Sequence, residues 1–187
     1  MTQTRFKPIP LDQMSPDQRR IADRRMNGPL GRLGAPLNVF IRSPGAAERI
    51  EQLSDYFRVQ QLAIPAHLRQ MVILVVARHW TAQYPWSAHY PLAIDAGVSA
   101  AVLNQIAAGQ RPTALPPDDA IVYDFCNGLL DDKYVTDAVF DAVVTRYGER
   151  GVADLIGLIG CYCTICMALV VDRFPPKEGH APLLKPL

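Results

Sequence analysis

Residues 65–97 read PAHLRQMVILVVARHWTAQYPWSAHYPLAIDAG, and this stretch decides the fold. Pro65 suits the first turn of a helix, where a missing N–H leaves nothing unpaired. From Leu68 to Trp80 the residues are apolar on nearly every side, through Met71, Val72, Ile73, Leu74, Val75, Val76 and Ala77. A helix of that kind belongs at the centre of a core. A run of about a dozen residues is long for a buried strand and short of the ~20 needed to cross a bilayer. Pro85 disfavours helix at Tyr84 and opens a second helix, which Gly97 can close. The spacing predicts a helical hairpin with Arg78, His79, Trp80, Gln83, Tyr84, Trp86 and His89 near its bend. No other segment collects so many polar and aromatic groups, so the candidate site lies here.

The rest of the chain is read outward from that hairpin. A length of 187 residues suits a single helical domain over 1–187, with extended arms at 1–14 and 175–187. The composition is 49% hydrophobic and 20% charged with net charge +1, which argues against nucleic acid or an anionic membrane as the main partner. The first residues, MTQTRFKPIP, lack the apolar core of a signal peptide, and no run is expected to span a membrane. Four cysteines do not make a disulfide scaffold at this size. A cytoplasmic location is the expectation.

Ser15-Pro16-Asp17 starts a helix bearing Arg19, Arg20, Arg24 and Arg25, read as a solvated surface helix. Residues 27–36 form a glycine- and proline-rich loop that follows no strand, so it carries no weight as a nucleotide loop. Residues 37–41 are a short apolar piece, and Ser43-Pro44 starts a helix running to about residue 60. Beyond the hairpin, Ser99 caps a short helix and QRPTALPP is a linker. Amphipathic helices follow over 118–130 and from Thr136 to Gly148. Residues 151–174 form the second strongly apolar helix, in which Asp154, Asp172 and Arg173 argue against a membrane span. With no alternating strand pattern the class is all-α. Each half sets a surface-patterned helix before an apolar one, consistent with an internally duplicated helical unit.

The segment LRQMVILVVARHWTAQYPWSAHYPLAIDAGVSAAVLNQI, 68–106, resembles the carboxymuconolactone decarboxylase family, which also contains the alkyl hydroperoxidase D proteins. The family pattern places R-E near the start of a long apolar helix. It continues with C-x-x-C-x-x-x-H, or with x-x-Y-E-W-x-x-H in a cysteine-free subgroup, and then A-x-x-A-G-[LV]-S. Arg69, the ILVVA run, Gln83-Tyr84, Trp86, His89 and Ala96-Gly97-Val98-Ser99 match. VYDFCNGLL and VADLIGLIG extend the likeness, giving a family-like core over about 36–170. The resemblance implies an alkyl hydroperoxidase D-like helical fold built around two long apolar helices, and a homo-oligomer, trimer or hexamer. It departs at Gln70, where the family has glutamate, and at Ala82 and Pro85, which occupy the two cysteine positions; Pro85 also replaces the subgroup's glutamate.

Thiol peroxidase chemistry needs a thiolate and a resolving thiol, and Ala82 and Pro85 supply neither. A decarboxylase must hold a carboxylate and return a proton to carbon; a histidine titrating near neutrality suits that task. His89 is therefore the catalytic candidate. Gln70, Arg78, His79, Tyr84 and Trp86 are the substrate-binding candidates, with Tyr84 or Trp86 as a wall. The plainer alternatives are a locally satisfied core histidine at 89 and a packing role for Trp86. Along the sequence, Gln70 and His89 look too far apart for a simple antiparallel hairpin, so an oblique crossing or a kink is expected. Cys163-Thr-Ile-Cys166 is a C-x-x-C inside an apolar helix, where burial raises a thiol's pKa, so it is read as core. The leading expectation is a lyase of the carboxymuconolactone decarboxylase type acting on a carboxylate or lactone with no metal or organic cofactor. The alternatives are a degenerate ligand-binding or assembly subunit, and a thiol-dependent hydroperoxidase. Leu183, Leu184 and Leu187 suggest that the tail, or the N-terminal arm, packs on a neighbouring subunit.

Overall fold

The computed structural model describes residues 4–28, 31–59, 62–179 and 181–186. The first three residues of the N-terminal arm, positions 29 and 30 of the loop, Gln60 and Leu187 lie outside the described residues. The fold is all-α, with no strand among the described residues. A short 3-10 turn, Leu11–Gln13, leads into α1 (Pro16–Met26), α2 (Ala35–Phe40) and α3 (Pro44–Val59). The hairpin follows as α4 (Ala66–His79) and α5 (Gln83–Asp95). Then come α6 (Ala100–Ala107), α7 (Pro117–Asn127) and α8 (Asp137–Asp172).

The local reasons match the chemistry of the termini. Ser15 accepts from the Gln18 amide while the Gln18 side chain returns to the Ser15 amide, a closed capping box with Pro16 inside the first turn. Ser99 and Thr136 cap α6 and α8 by accepting from Val102 and Val139. The short apolar piece after Pro36 belongs to α2. The helix from 118 ends at Asn127 and passes into a π turn, Gly128–Asp132, closed by left-handed Lys133. Gly148, at φ 67 and ψ 175, breaks α8, as the sequence predicted.

The centre is α4, which packs on α5, α6, α7 and α8. Leu68, Val72, Leu74, Val76 and Ala77 have no exposed surface. By length and composition alone α8 could cross a membrane, but more than half of its apolar window is buried inside the protein (56%). Asp154 sits in that buried surface because it accepts from the Ala63 amide at 2.8 Å.

A second, smaller apolar cluster joins Ile21 and Ala22 of α1, Leu37 and Ile41, and Ala47 of α3. Ion pairs close this side layer: Arg20 and Arg24 hold Glu48 at 2.8 and 2.9 Å, and Arg25 reaches Glu51 at 3.4 Å and Asp55 at 2.9 Å. The helix read as solvated is therefore clamped onto α3 along one face. Both arms fold back on their own chain. The Arg5 amide donates to the Asp172 carbonyl, and the Phe6 amide to the Asp172 carboxylate at 2.7 Å. Leu184 of the tail is buried.

At Gly157 α8 passes so close to α3 that an added Cβ would lie 2.5 Å from Cζ of the buried Phe57. Gly157→Ala should therefore force the ring aside and lower stability by about 1–3 kcal/mol. A chemical denaturation series monitored by circular dichroism measures this; an unchanged midpoint would mean that the two helices separate without cost.

Candidate active site

A cavity of about 230 Å³ lies between the two apolar clusters. One wall is α5 and α8, through Tyr84, Pro85, His89, Tyr162, Ile165 and Leu169. The facing wall is the side layer, through Leu33, Leu37, Phe40 and Ile50. The volume sits a little below the ~300–1,000 Å³ usual for drug-sized ligands, so a small molecule fits.

His89 is fixed from both sides. Its Nδ1 donates to Gln70 Oε1 of α4 at 2.8 Å, which leaves Nε2 as the basic nitrogen. The Tyr162 hydroxyl of α8 faces Nε2 across a long 3.4 Å, with the two rings edge to face at 5.2 Å. α5 begins at Gln83, two residues before Pro85, so His89 lies nearly two turns into it, and the packing of α4 on α5 brings its side chain to Gln70. Pro85 falls within the first turn, where its missing N–H is harmless.

The imidazole is half-buried and lines the cavity. Desolvation by the surrounding protein lowers its pKa from 6.5 to about 4, and the cations Lys177, Arg58 and Arg69 add to the fall. The near-neutral titration expected from sequence is thus displaced, and the ring is neutral at pH 7. Burial raises the Tyr162 phenol, so it too is neutral and can donate a hydrogen bond. Around the cavity stand Arg25, Arg32, Arg58 and Lys177 against the carboxylate of Glu51. The chemistry available is a neutral base and a phenol on an apolar wall beneath a cationic rim.

No family model matches the chain, and no curated protein matches it. Among solved structures, one from Ralstonia eutropha JMP134, described as an alkylhydroperoxidase AhpD core and an uncharacterized peroxidase-related protein, superposes with a TM-score of 0.76 at 14% identity. The match covers 95% of this chain and 94% of that one. The chain has the alkylhydroperoxidase D-like fold.

Within this alkylhydroperoxidase D-like fold the sequence candidates separate. His89, Gln70 and Tyr84 gather at the cavity: Gln70 through its bond to the imidazole, Tyr84 in the wall with its ring against Phe174 at 4.8 Å. Arg78 does not reach it. Its guanidinium donates to the carbonyls of Ala107 and Lys185 at 3.2 and 2.7 Å and to Thr81 Oγ1 at 3.0 Å, joining α6 to the tail. His79 pairs with Asp131 at 2.8 Å beside a separate cavity of about 140 Å³. These two project from the far end of α4, more than a turn beyond Gln70, so they leave the core elsewhere. Trp86 is 1% exposed and donates to the Pro182 carbonyl at 3.0 Å, a packing role.

Of the two family cysteine positions, Pro85 lines the cavity and Ala82 does not. None of Cys126, Cys161, Cys163 and Cys166 lines it either. Burial pushes Cys161 up to about 11 and raises Cys126 and Cys166 further, so these thiols stay protonated. Tyr162 escaped the sequence reading because it sits inside the apolar run GLIGCYCTICMALVV. Its signal was a phenol in a strongly apolar segment, since a buried hydroxyl needs a partner. Arg32 was set aside with its loop, and Lys177 with the tail.

The lowered His89 pKa fixes the sign of one pH effect. Between pH 6.5 and about 4 the unfolded chain binds a proton that the fold refuses, so stability falls with pH across that window. The full loss approaches about 3 kcal/mol as an upper limit, because water in the cavity solvates part of the cation. His89→Gln should flatten this acid limb, as read by denaturant titrations at pH 7 and pH 4.5. Gln70→Glu should do the opposite to the imidazole: a carboxylate facing Nδ1 raises its titration by a unit or more, measured by NMR on the ring C–H. A ring that titrates near 6.5 in the native chain would overturn both expectations.

Proposed function

We propose that this protein is a cofactor-independent small-molecule enzyme that transfers a proton at His89 in a decarboxylase or other lyase reaction. The observation that carries the reading is the His89 geometry: Nδ1 is committed to Gln70, while Nε2 stands beside the Tyr162 phenol at the wall of a small apolar cavity. In a decarboxylation the carbon–carboxylate bond breaks and its electron pair passes to the substrate carbon, delocalised into an adjoining carbonyl. As carbon dioxide leaves, a proton from Nε2 completes the product. The resting ring is neutral, so Nε2 takes up a proton from solvent water as substrate binds, passes it to the carbon that loses carbon dioxide, and returns to the neutral form. An anionic substrate favours that uptake, because it offsets the cations that oppose protonation.

The structural neighbour's description as peroxidase-related makes thiol chemistry the second reading. Ala82 and Pro85, the absence of cysteine from the cavity lining and the burial that raises Cys126, Cys161 and Cys166 weigh against it. A degenerate binding subunit is the third, and Gln70 in place of an acid is the residue that favours it.

The test offers carboxylated lactones and β-keto acids in D2O and follows carbon dioxide release with deuterium entering the product. Turnover should fall by about 10²–10⁴-fold in His89→Gln and by less in Tyr162→Phe. It should be unchanged in the Cys163→Ser/Cys166→Ser pair. Turnover that survives His89→Gln would remove this reading. Hydroperoxide consumption with a dithiol reductant, lost in the cysteine pair, would install the thiol reading instead.

We also propose that the protein assembles with copies of itself. The contact surface in this proposal is the outer face of α8. Ile156, Met167, Val170 and Val171 are between 41% and 52% exposed along it. Sedimentation should give a closed oligomer, and Met167→Glu with Val170→Glu should shift it toward monomer. A wild-type chain that sediments as a monomer at micromolar concentration would refute the proposal.

A further inference from the structure

The cavity rim contains two kinds of cation. Arg25 is held by Glu51 and Asp55, and Arg58 pairs with Asp55. Arg32 and Lys177 have no side-chain partner among the described residues, although both line the cavity. Glu51, the carboxylate in the lining, is already engaged by Arg25. Both unpaired cations come from outside the 36–170 stretch that carries the sequence resemblance. Arg32 stands on the segment between α1 and α2, and Lys177 on the tail.

That tail is a strap tied along α5. Phe174 packs on Tyr84, and the Lys177 amide donates to Ser87 Oγ at 2.8 Å. Gln83 exchanges two hydrogen bonds with Leu184, at 2.7 and 3.0 Å. Arg78 and Trp86 hold the Lys185 and Pro182 carbonyls. These contacts fix where Lys177 enters the cavity, and among charged groups its ammonium acts most on His89. A charge fixed in that way, beside a mostly apolar wall, is arranged for an anion attached to an apolar body.

We propose that Arg32 and Lys177 form an anion clamp that makes the substrate a small amphipathic monocarboxylate. Its carboxylate sits between the two cations and its apolar body lies on Leu33, Leu37, Ile165 and Leu169. The inference rests on the proposed function in one respect: it takes this cavity as the substrate site. A planar guanidinium suits a carboxylate's paired oxygens, and the apolar walls disfavour a second charge on the ligand.

Calorimetric titration of the full chain with octanoate, 1-octanol and inorganic phosphate tests this. Octanoate should bind, and Arg32→Gln with Lys177→Gln should weaken it by about tenfold or more. Lys177→Arg should retain binding, which separates lost charge from lost fold, and thermal melts check the double variant. Raising salt from about 50 to 500 mM should weaken octanoate binding to the native chain. 1-Octanol should bind more weakly and ignore the double substitution. The clamp is overturned if octanoate does not bind at millimolar concentration, if the double variant binds it equally, or if phosphate alone binds as tightly. Clamp failure with His89-dependent turnover intact removes this inference alone, whereas an intact clamp with His89-independent turnover removes only the proton-transfer reading.

Discussion

Everything in this molecule is arranged around the burial of α4 from all sides. A helix without a solvent face must be enclosed by other helices, and each polar side chain on it must meet a partner where it emerges. His67 reaches Asp119 of α7, and Arg69 the carbonyls of Phe57 and Arg58 at the end of α3. Gln70 meets His89 of α5, and His79 meets Asp131 of the π turn. Arg78, 4% exposed, takes carbonyls from α6 and the tail. The hydrophobic effect places α4, and hydrogen bonding then decides what surrounds each of its polar positions.

The candidate site follows from the same constraint. Gln70 is buried by its helix and requires a donor; His89 supplies Nδ1–H and is thereby left with Nε2 directed to chemistry. A glutamine in this place holds the tautomer without adding charge, whereas a glutamate would stabilise the imidazolium. The Gln70 substitution therefore accounts in part for a neutral ring, together with the desolvation that dominates its titration. The site combines an alkylhydroperoxidase D-like scaffold with an uncharged glutamine–histidine pair at its centre.

The cavity opens where the side layer, though touching α8 through Phe57 at Gly157, leaves space against α5 and α8 unfilled. α1 to α3 form their own small cluster and are fastened to one another by Arg20, Arg24 and Arg25 on Glu48, Glu51 and Asp55. With much of its bonding internal, this layer leaves room against α5 and α8. Glu51 within it is shifted up by burial even beside Arg25.

The sequence by itself determined the all-α class, the hairpin, the caps at Ser15, Ser99 and Thr136, the break at Gly148 and the burial of the cysteine-bearing helix. Those features are local: they depend on apolar periodicity, capping side chains and glycine's access to positive φ. It also singled out His89, Gln70 and Tyr84, through the polar and aromatic groups gathered near the bend and the resemblance over 68–106, although the spacing along the chain set Gln70 and His89 apart. Only the tertiary structure decided which neighbours shared the cavity. Arg78, His79 and Trp86 are near in sequence but point to the tail and the π turn, since residues along a helix diverge by about 100° each. Tyr162, Arg32 and Lys177 reach the cavity from 73, 57 and 88 residues away along the chain, 162 − 89, 89 − 32 and 177 − 89. No periodicity encodes such meetings. They depend on how α8, the side layer and the strap pack on one face of α5, and that is fixed by the complete set of contacts.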